Sequence, residues 1–393
     1  MKHKGGTMQA RCLIKNAHVV SPGRESPHAA IVIEGRKIAA VLADGEPLPS
    51  FETSVDAQGD RVVPGFIDLH MHGAAGYDFC DARPTSLREI ASAKLCEGVT
   101  RFLPTTLTLP RPALEESFVA GREYFANQTF ARVLGVHVEG PFINPQCTGA
   151  QNPAFVRPPD LAEIEALAKH LPIKIVSLAV EMPGGLELVK SLTERGIIAS
   201  LAHTAATFEQ FSAAKHAGAR HLTHFCNQMT PLHHREIGLV GAGLLDDEIL
   251  VEMICDGIHL QPEMVQLAFK VIGPERIMLI TDSIAASGMP DHQVTRLGEL
   301  EVTIRDGVAR LASGALAGST LRLNRALKNV AEFTGLPLPD LIRTTSLNQA
   351  ESLGLSDLGK IEPGYLADLV ILDADFEPRM VFVEGTARAM TRA

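Results

Sequence analysis

From Phe66 to Asp282 the sequence alternates short apolar runs with stretches of helical periodicity, and it does so eight times. The first four runs are Gly65 to Leu69, Val99 to Thr106, Arg132 to Glu139 and Ile173 to Glu181; the last four are Ile197 to His203, Ala219 to His224, Ile249 to Cys255 and Arg276 to Thr281. Between them apolar residues recur on one helix face, as in Leu87, Ile90, Ala91 and Leu95, or Leu114, Phe118 and Phe125. Helices are likewise expected over 161–170, 186–195, 208–217 and 263–272, and beyond the eighth run over 321–333 and 338–347. Alternation of this kind builds parallel sheets, and eight units in a row predict a closed (β/α)8 barrel of the TIM type. In such a barrel the active site sits at the C-terminal ends of the strands.

That rule says which residues to compare. Strand one ends in His70 and His72, one residue apart and so on the same side of an extended chain. Strand two ends in Thr105-Thr106, strand three in Glu139, strand four in Glu181, and strand five in His203. Strand six ends in His224, strand seven in Asp256 with His259 close behind, and strand eight in Asp282. Hydrolases hold divalent metals with neutral imidazoles and carboxylates and leave a position open for water. His70, His72, Glu139, His203, His224 and Asp282 are such a set, and two ions bridged by Glu139 would use all four histidines. The chemistry this suits is hydrolysis, with the metal activating a water. Asp282 then either moves the water proton to the departing group or serves as one more ligand.

The rest of the chain narrows the setting. Its 393 residues carry 46 acidic and 36 basic side chains, a balance of -10 without a block of like charge. Nucleic-acid and anionic-membrane binding are therefore not expected. No run approaches the ~20 apolar residues of a membrane span, and the first thirty residues lack a signal-peptide core, so a cytoplasmic address is expected. Six cysteines without a Cys-x-x-Cys pair suit reduced thiols. Residues 1–9 read as a disordered leader. Strand-like runs at 12–14, 17–20, 30–33 and 38–41 are answered near the other end by 367–372 and 380–383, with turns between. The two ends are expected to form a small β-sandwich domain, residues 1–63 and 358–393, beside a catalytic barrel, residues 64–357. A hairpin is expected around Arg305-Asp306-Gly307. Gly354 to Lys360 resembles a phosphate loop but opens no helix, and no Gly-x-Ser-x-Gly supports a serine nucleophile.

Several segments together carry a resemblance over nearly the whole chain. They are Pro64 to Gly73, Leu103-Pro104-Thr105-Thr106, His137 to Phe142, Ala202-His203-Thr204 and Thr223 to Met229, then His233 to Glu236, Asp256 to His259, Thr281-Asp282 and Leu316 to Leu321. In these the chain resembles the amidohydrolase superfamily and, within it, the N-acetylglucosamine-6-phosphate deacetylases and their N-acetylgalactosamine-6-phosphate relatives. The resemblance implies a primary metal on Glu139, His203 and His224, a second on His70 and His72, and Asp282 as catalytic aspartate. The cofactor implied is Zn2+ or Fe2+, one or two ions per subunit. It puts His259, Gln151 and Leu316 at the substrate and Asn227 and Gln228 at its phosphate. Arg235 would reach the phosphate from a neighbouring subunit, which implies a homodimer. Two positions depart from the pattern: Gln151 stands where the family usually has a carbonyl-polarising His, and Gln228 where it has a small residue. Gln can donate a hydrogen bond but carries no charge. An amidohydrolase acting on another N-acyl or amide substrate, and a catalytically silent binding homologue, are the alternatives. A carboxylated-lysine centre is disfavoured, because strand four ends Ala179-Val180-Glu181.

Overall fold

The computed structural model describes residues 11–390, so the expected leader over 1–9 lies outside the described residues. All eight strands of the alternating region are present: Phe66–Met71, Val99–Pro104, Val136–Glu139, Ile173–Leu178, Ile198–Leu201, His221–Leu222, Leu250–Met253 and Ile277–Leu279. The first two pair in parallel, and the last six form one parallel sheet in chain order. Single parallel bridges join the two sheets, Thr105 to His137 on one side and Met71 to Ser283 on the other. The third run, expected as one strand, is two: Arg132–Val133 pairs with the second strand and Val136–Glu139 with the fourth. Gly135 makes the break at φ +151°, and a Cβ there would stand 2.7 Å from the Pro172 carbonyl.

The connecting helices start and stop where their chemistry directs. Phe208–Ala217 opens with a reciprocal Thr207/Gln210 capping box and ends at Gly218, φ +113°. Pro262–Ile272 and Arg111–Ala126 carry proline in the first turn, where no N–H is needed. One helix was not expected from the sequence, and one expectation is corrected. A helix over Gly238–Leu245, Gly-Leu-Val-Gly-Ala-Gly-Leu-Leu, has no polar face and is largely buried, so it has no period to read. The helix expected over 338–347 is instead Leu338–Leu341, a 3-10 turn Ile342–Thr345 and a helix Leu347–Ser352. There the hydroxyls of Thr344, Thr345 and Ser346 bond to the carbonyls of Leu341 and Ile342 at 2.7–3.0 Å and compete with helical pairing.

Strands from the two ends of the chain lie in one sheet, not in two stacked sheets. Strands Arg11–Ser21, Arg24–Glu34, Lys37–Leu42, Thr53–Asp56 and Arg61–Pro64 join Leu369–Leu372, Pro378–Val383 and Thr386–Arg388 in one eight-stranded sheet. The runs at 12–14 and 17–20 are one strand, bulged where Asn16 takes φ 53°. The sheet curls until Lys37 bridges Leu366, and its concave side encloses an apolar cluster of its own that includes Ile14, Ile31, Val62, Ile371 and Phe382. A further antiparallel sheet, Val294–Leu297, Leu300–Arg305 and Val308–Leu311, contains the expected hairpin at Asp306-Gly307.

One buried ionic cluster ties the first strand to the eighth. Lys94, with no exposed surface, places Nζ 2.7 Å from Glu97, 3.1 Å from Asp68 and 3.2 Å from the Thr281 hydroxyl, which in turn donates to Asp68 at 2.5 Å. Asp68 lies two residues before His70, and Thr281 lies next to Asp282. Removing Lys94 would leave the two buried carboxylates without the cation that touches both, so Lys94→Met is expected to cost about 3–5 kcal/mol of unfolding free energy in chemical denaturation. A loss below about 1 kcal/mol would contradict this role.

Candidate metal centre and active site

Six side chains from five strand ends converge. His70, His72, Glu139, His203, His224 and Asp282 are each less than a tenth exposed. Glu139 is the hub: its Oε1 lies 3.0 Å from His224 Nε2, 3.2 Å from His203 Nε2 and 3.6 Å from His70 Nε2, and its Oε2 lies 3.4 Å from His72 Nε2. Asp282 Oδ1 is 3.2 Å from His72 Nε2 and 3.4 Å from His70 Nε2. The donors fall into two groups, Glu139 with His203 and His224, and His70 with His72 and Asp282. Three of the six take left-handed backbone angles uncommon outside glycine, His203 at φ 45°, His224 at 35° and Asp282 at 47°. Each thereby turns the chain sharply at its strand end.

The tautomers can be read from the other ring nitrogens. Nδ1 of His70 faces Glu252 Oε2 at 3.2 Å, that of His72 the Thr105 carbonyl at 3.2 Å, and that of His203 the Cys147 carbonyl at 2.7 Å. These partners accept and cannot donate, so in the neutral ring the proton sits on Nδ1 and Nε2 is a bare lone pair. Bare lone pairs facing carboxylate oxygens, in a buried space, repel unless something positive lies between them. His203 and His224 Nε2 are also only 3.1 Å apart, and His70 Nε2 is buried without a hydrogen-bond partner. The set therefore fits a divalent cation bound by imidazole nitrogens and carboxylate oxygens. Protons answer the same demand: burial opposes charge on His72, but Asp282 and Glu139 outweigh it and raise its pKa to about 10. Glu139 itself is held well below the ordinary carboxylate range, the His70 charge and its imidazole hydrogen bonds overriding burial.

The donors floor a cavity of ≈ 260 Å³ whose walls include Gln151, Asn227, Gln228, His259 and Leu316. The structure thus brings together every sequence-predicted site residue except Arg235, which is exposed on the His233–Glu236 turn with Nη1 2.7 Å from His234 Nε2. Gln151 is committed at both ends: Nε2 donates to Glu139 Oε2 at 2.8 Å and Oε1 accepts from the Thr108 N–H at 2.7 Å. The Gln228 side chain packs over Gly149, where a Cβ would approach it to 3.1 Å. His259 Nδ1 is held by Asp256 at 2.7 Å. Burial opposes its charge, but the Asp256 hydrogen bond leaves its pKa raised.

The residues at two other strand ends are scaffold. Glu181 accepts from Asn144 at 2.7 Å, from the Ala205 N–H at 2.6 Å and from the Thr204 hydroxyl, fixing the loop after His203. Thr105 and Thr106 hydroxyls accept the N–H groups of Met71 and Glu139 at 3.0 and 3.1 Å. Sequence reasoning missed Glu252 and gave His137 no role, although both lie buried against His70. A lone carboxylate inside Leu250-Val251-Glu252-Met253 was the signal.

Because Glu139 stands between both donor groups, Glu139→Gln is expected to lower the zinc retained by the folded chain after dialysis at least ten-fold, measured by elemental analysis beside circular dichroism. Retention equal to the parent would contradict the centre.

The comparisons with known proteins agree with this geometry. Residues 61–388 match the model of the amidohydrolase family. The chain is 40% identical over 351 residues to an N-acetylgalactosamine-6-phosphate deacetylase of Escherichia coli O157:H7, covering 88% of this chain and 92% of that one. It is 37% identical over 386 residues to an N-acetylglucosamine-6-phosphate deacetylase of Bacillus subtilis (strain 168), covering 96% and 97%. The solved N-acetylglucosamine-6-phosphate deacetylase of Thermotoga maritima superposes with a TM-score of 0.87 at 38% identity, over 97% of this chain and 100% of that one. The chain belongs to the amidohydrolase family and, within it, to the N-acetylglucosamine-6-phosphate deacetylases with their N-acetylgalactosamine-6-phosphate relatives.

Proposed function

We propose that this chain hydrolyses the acetamide of an N-acetylated amino-sugar 6-phosphate to acetate and the amino-sugar phosphate, with N-acetylglucosamine 6-phosphate favoured over N-acetylgalactosamine 6-phosphate. The observation that carries the reading is a cluster of six metal-type donors, five of which line one cavity walled by amide, imidazole and apolar side chains. Residues 64–357 form the (β/α)8 catalytic unit, and residues 1–63 with 358–393 the small β domain. Glu139, His203 and His224 hold one ion and His70 with His72 a second, Zn2+ or Fe2+. When bound there, a divalent cation polarises the amide carbonyl and acidifies a water.

The side chains do the rest. Asp282 Oδ1 faces the Nε2 atoms of His70 and His72, and the positive charge that this cluster demands, proton or cation, holds its carboxyl below the ordinary range against burial, so the carboxylate can take the proton of the attacking water. It then returns that proton to the departing nitrogen, which leaves as an amine. His259, held by Asp256, presents Nε2 to a sugar hydroxyl. This chain's Asn227 and Gln228 take the phosphate together with Arg235 of the partner subunit, in a cytoplasmic homodimer. Leu316 packs on the sugar.

Gln151 favours a second reading. One of its N–H groups is spent on Glu139 and its oxygen on Thr108, so a single neutral N–H is left to meet a substrate carbonyl, and a different N-acyl group would suit that weaker donor.

Acetate release from both phosphorylated sugars, each beside its unphosphorylated form, tests the proposal. Turnover confined to phosphorylated sugars is expected, and turnover of neither sugar phosphate by metal-replete protein would overturn it. Asp282→Asn is expected to lower kcat about 10²–10⁴-fold with the ion at Glu139, His203 and His224 retained; unchanged kcat would remove Asp282 from proton transfer.

A further inference from the structure

Glu252 is a carboxylate with no exposed surface, set in the seventh strand Leu250–Met253 beneath the metal centre. The groups facing it are imidazoles: His70 Nδ1 is 3.2 Å from Oε2, His221 Nδ1 is 3.8 Å from Oε1, and the His137 ring stands edge-on to His70 at 4.7 Å. A carboxylate so placed is costly unless compensated, and the compensation here comes from rings that are neutral unless protonated. The donor atoms of His70, His137 and Glu252 lie close enough together to suggest a cation site of their own. Both His137 nitrogens, however, are already engaged, by the Leu69 carbonyl at 2.9 Å and the Ser177 hydroxyl at 2.7 Å.

The partners of the four central histidines differ in kind. His72 and His203 give Nδ1–H to peptide carbonyls, and His224 Nδ1 is buried without a hydrogen-bond partner. Of the four, His70 is the one whose Nδ1 meets a carboxylate. A peptide carbonyl fixes a tautomer, whereas a carboxylate also makes the far nitrogen a stronger donor. That far nitrogen, Nε2, points at Asp282 Oδ1 and Glu139 Oε1.

We propose that Glu252 is a positioning residue, which through His70 sets the cation affinity of the His70–His72–Asp282 group and leaves the Glu139–His203–His224 group unaffected. The inference rests on the metal-dependent reading above. It makes the two groups unequal by construction, since one of them draws on a buried charge.

The test is Zn2+ titrated into the chelator-stripped full chain, in competition with a chromophoric chelator. The parent is expected to take up two ions. In Glu252→Gln one dissociation constant rises about 10–100-fold and the other stays within about two-fold. In a His70→Ala background, adding Glu252→Gln is expected to change the remaining affinity by less than about two-fold, because a residue acting through His70 has nothing left to act on. Two unchanged constants in Glu252→Gln, or an equal weakening of both, would overturn the assignment. Should Glu252→Gln not fold by circular dichroism, Glu252→Asp keeps the charge one methylene short and is expected to weaken the same ion less; unchanged constants there also overturn it. If the parent binds two ions and Glu252→Gln matches it, only the positioning role fails. If the parent binds none, the metal-dependent reading fails with it.

Discussion

Everything at the strand ends is arranged around a crowd of lone pairs. Four imidazole nitrogens and two carboxylates are packed so that each lies within 3.0–3.6 Å of at least one other, where little water reaches. Such a cluster does not hold itself together, since its members repel until a proton or a cation enters. The fold has to impose it. Part of the cost is visible as left-handed backbone at His203, His224 and Asp282, of order 1–3 kcal/mol each. Each of these bends is tied by its own carbonyl, to the N–H groups of Asn144, Asn227 and Ser319 at 2.8–3.0 Å.

Beneath the donors lies a set of residues that touch no substrate and still decide where the donors sit. Lys94 joins Asp68 to Thr281 and so couples the positions of His70 and Asp282. Thr105 and Thr106 hold the chain at Met71 and Glu139, and Glu181 holds the loop after His203. Gln151 belongs with them as much as with the cavity wall, because both ends of its amide are used by the protein. The fold and the site are therefore linked through buried polar groups, and changes two residues away from a donor would reach it.

Much of this was legible in the sequence because it obeys periods. The eight apolar runs and the amphipathic helices between them were readable from spacing, and the strand-end rule then picked out all six donors. What was not legible lacked a period or depended on partners distant in sequence. Gly238–Leu245 is apolar on every face, so no stripe marks it as a helix. The break after Leu341 comes from hydroxyls bonding backward, which composition alone does not announce. Glu181 and Asp256 end strands as the donors do, yet they serve a loop and His259; only the directions of their side chains separate them from Glu139 and Asp282. The curl of the terminal sheet, closed by Lys37 and Leu366, joins residues more than three hundred positions apart.

The most direct test of the account is an anomalous difference map from crystals of the zinc-loaded protein, recorded on either side of the zinc absorption edge. The account predicts one peak among Glu139, His203 and His224 and a second beside His70 and His72, each with nitrogen and oxygen ligands at about 2.0–2.2 Å. Zinc bound elsewhere, or no peak among these residues in active protein, would contradict it.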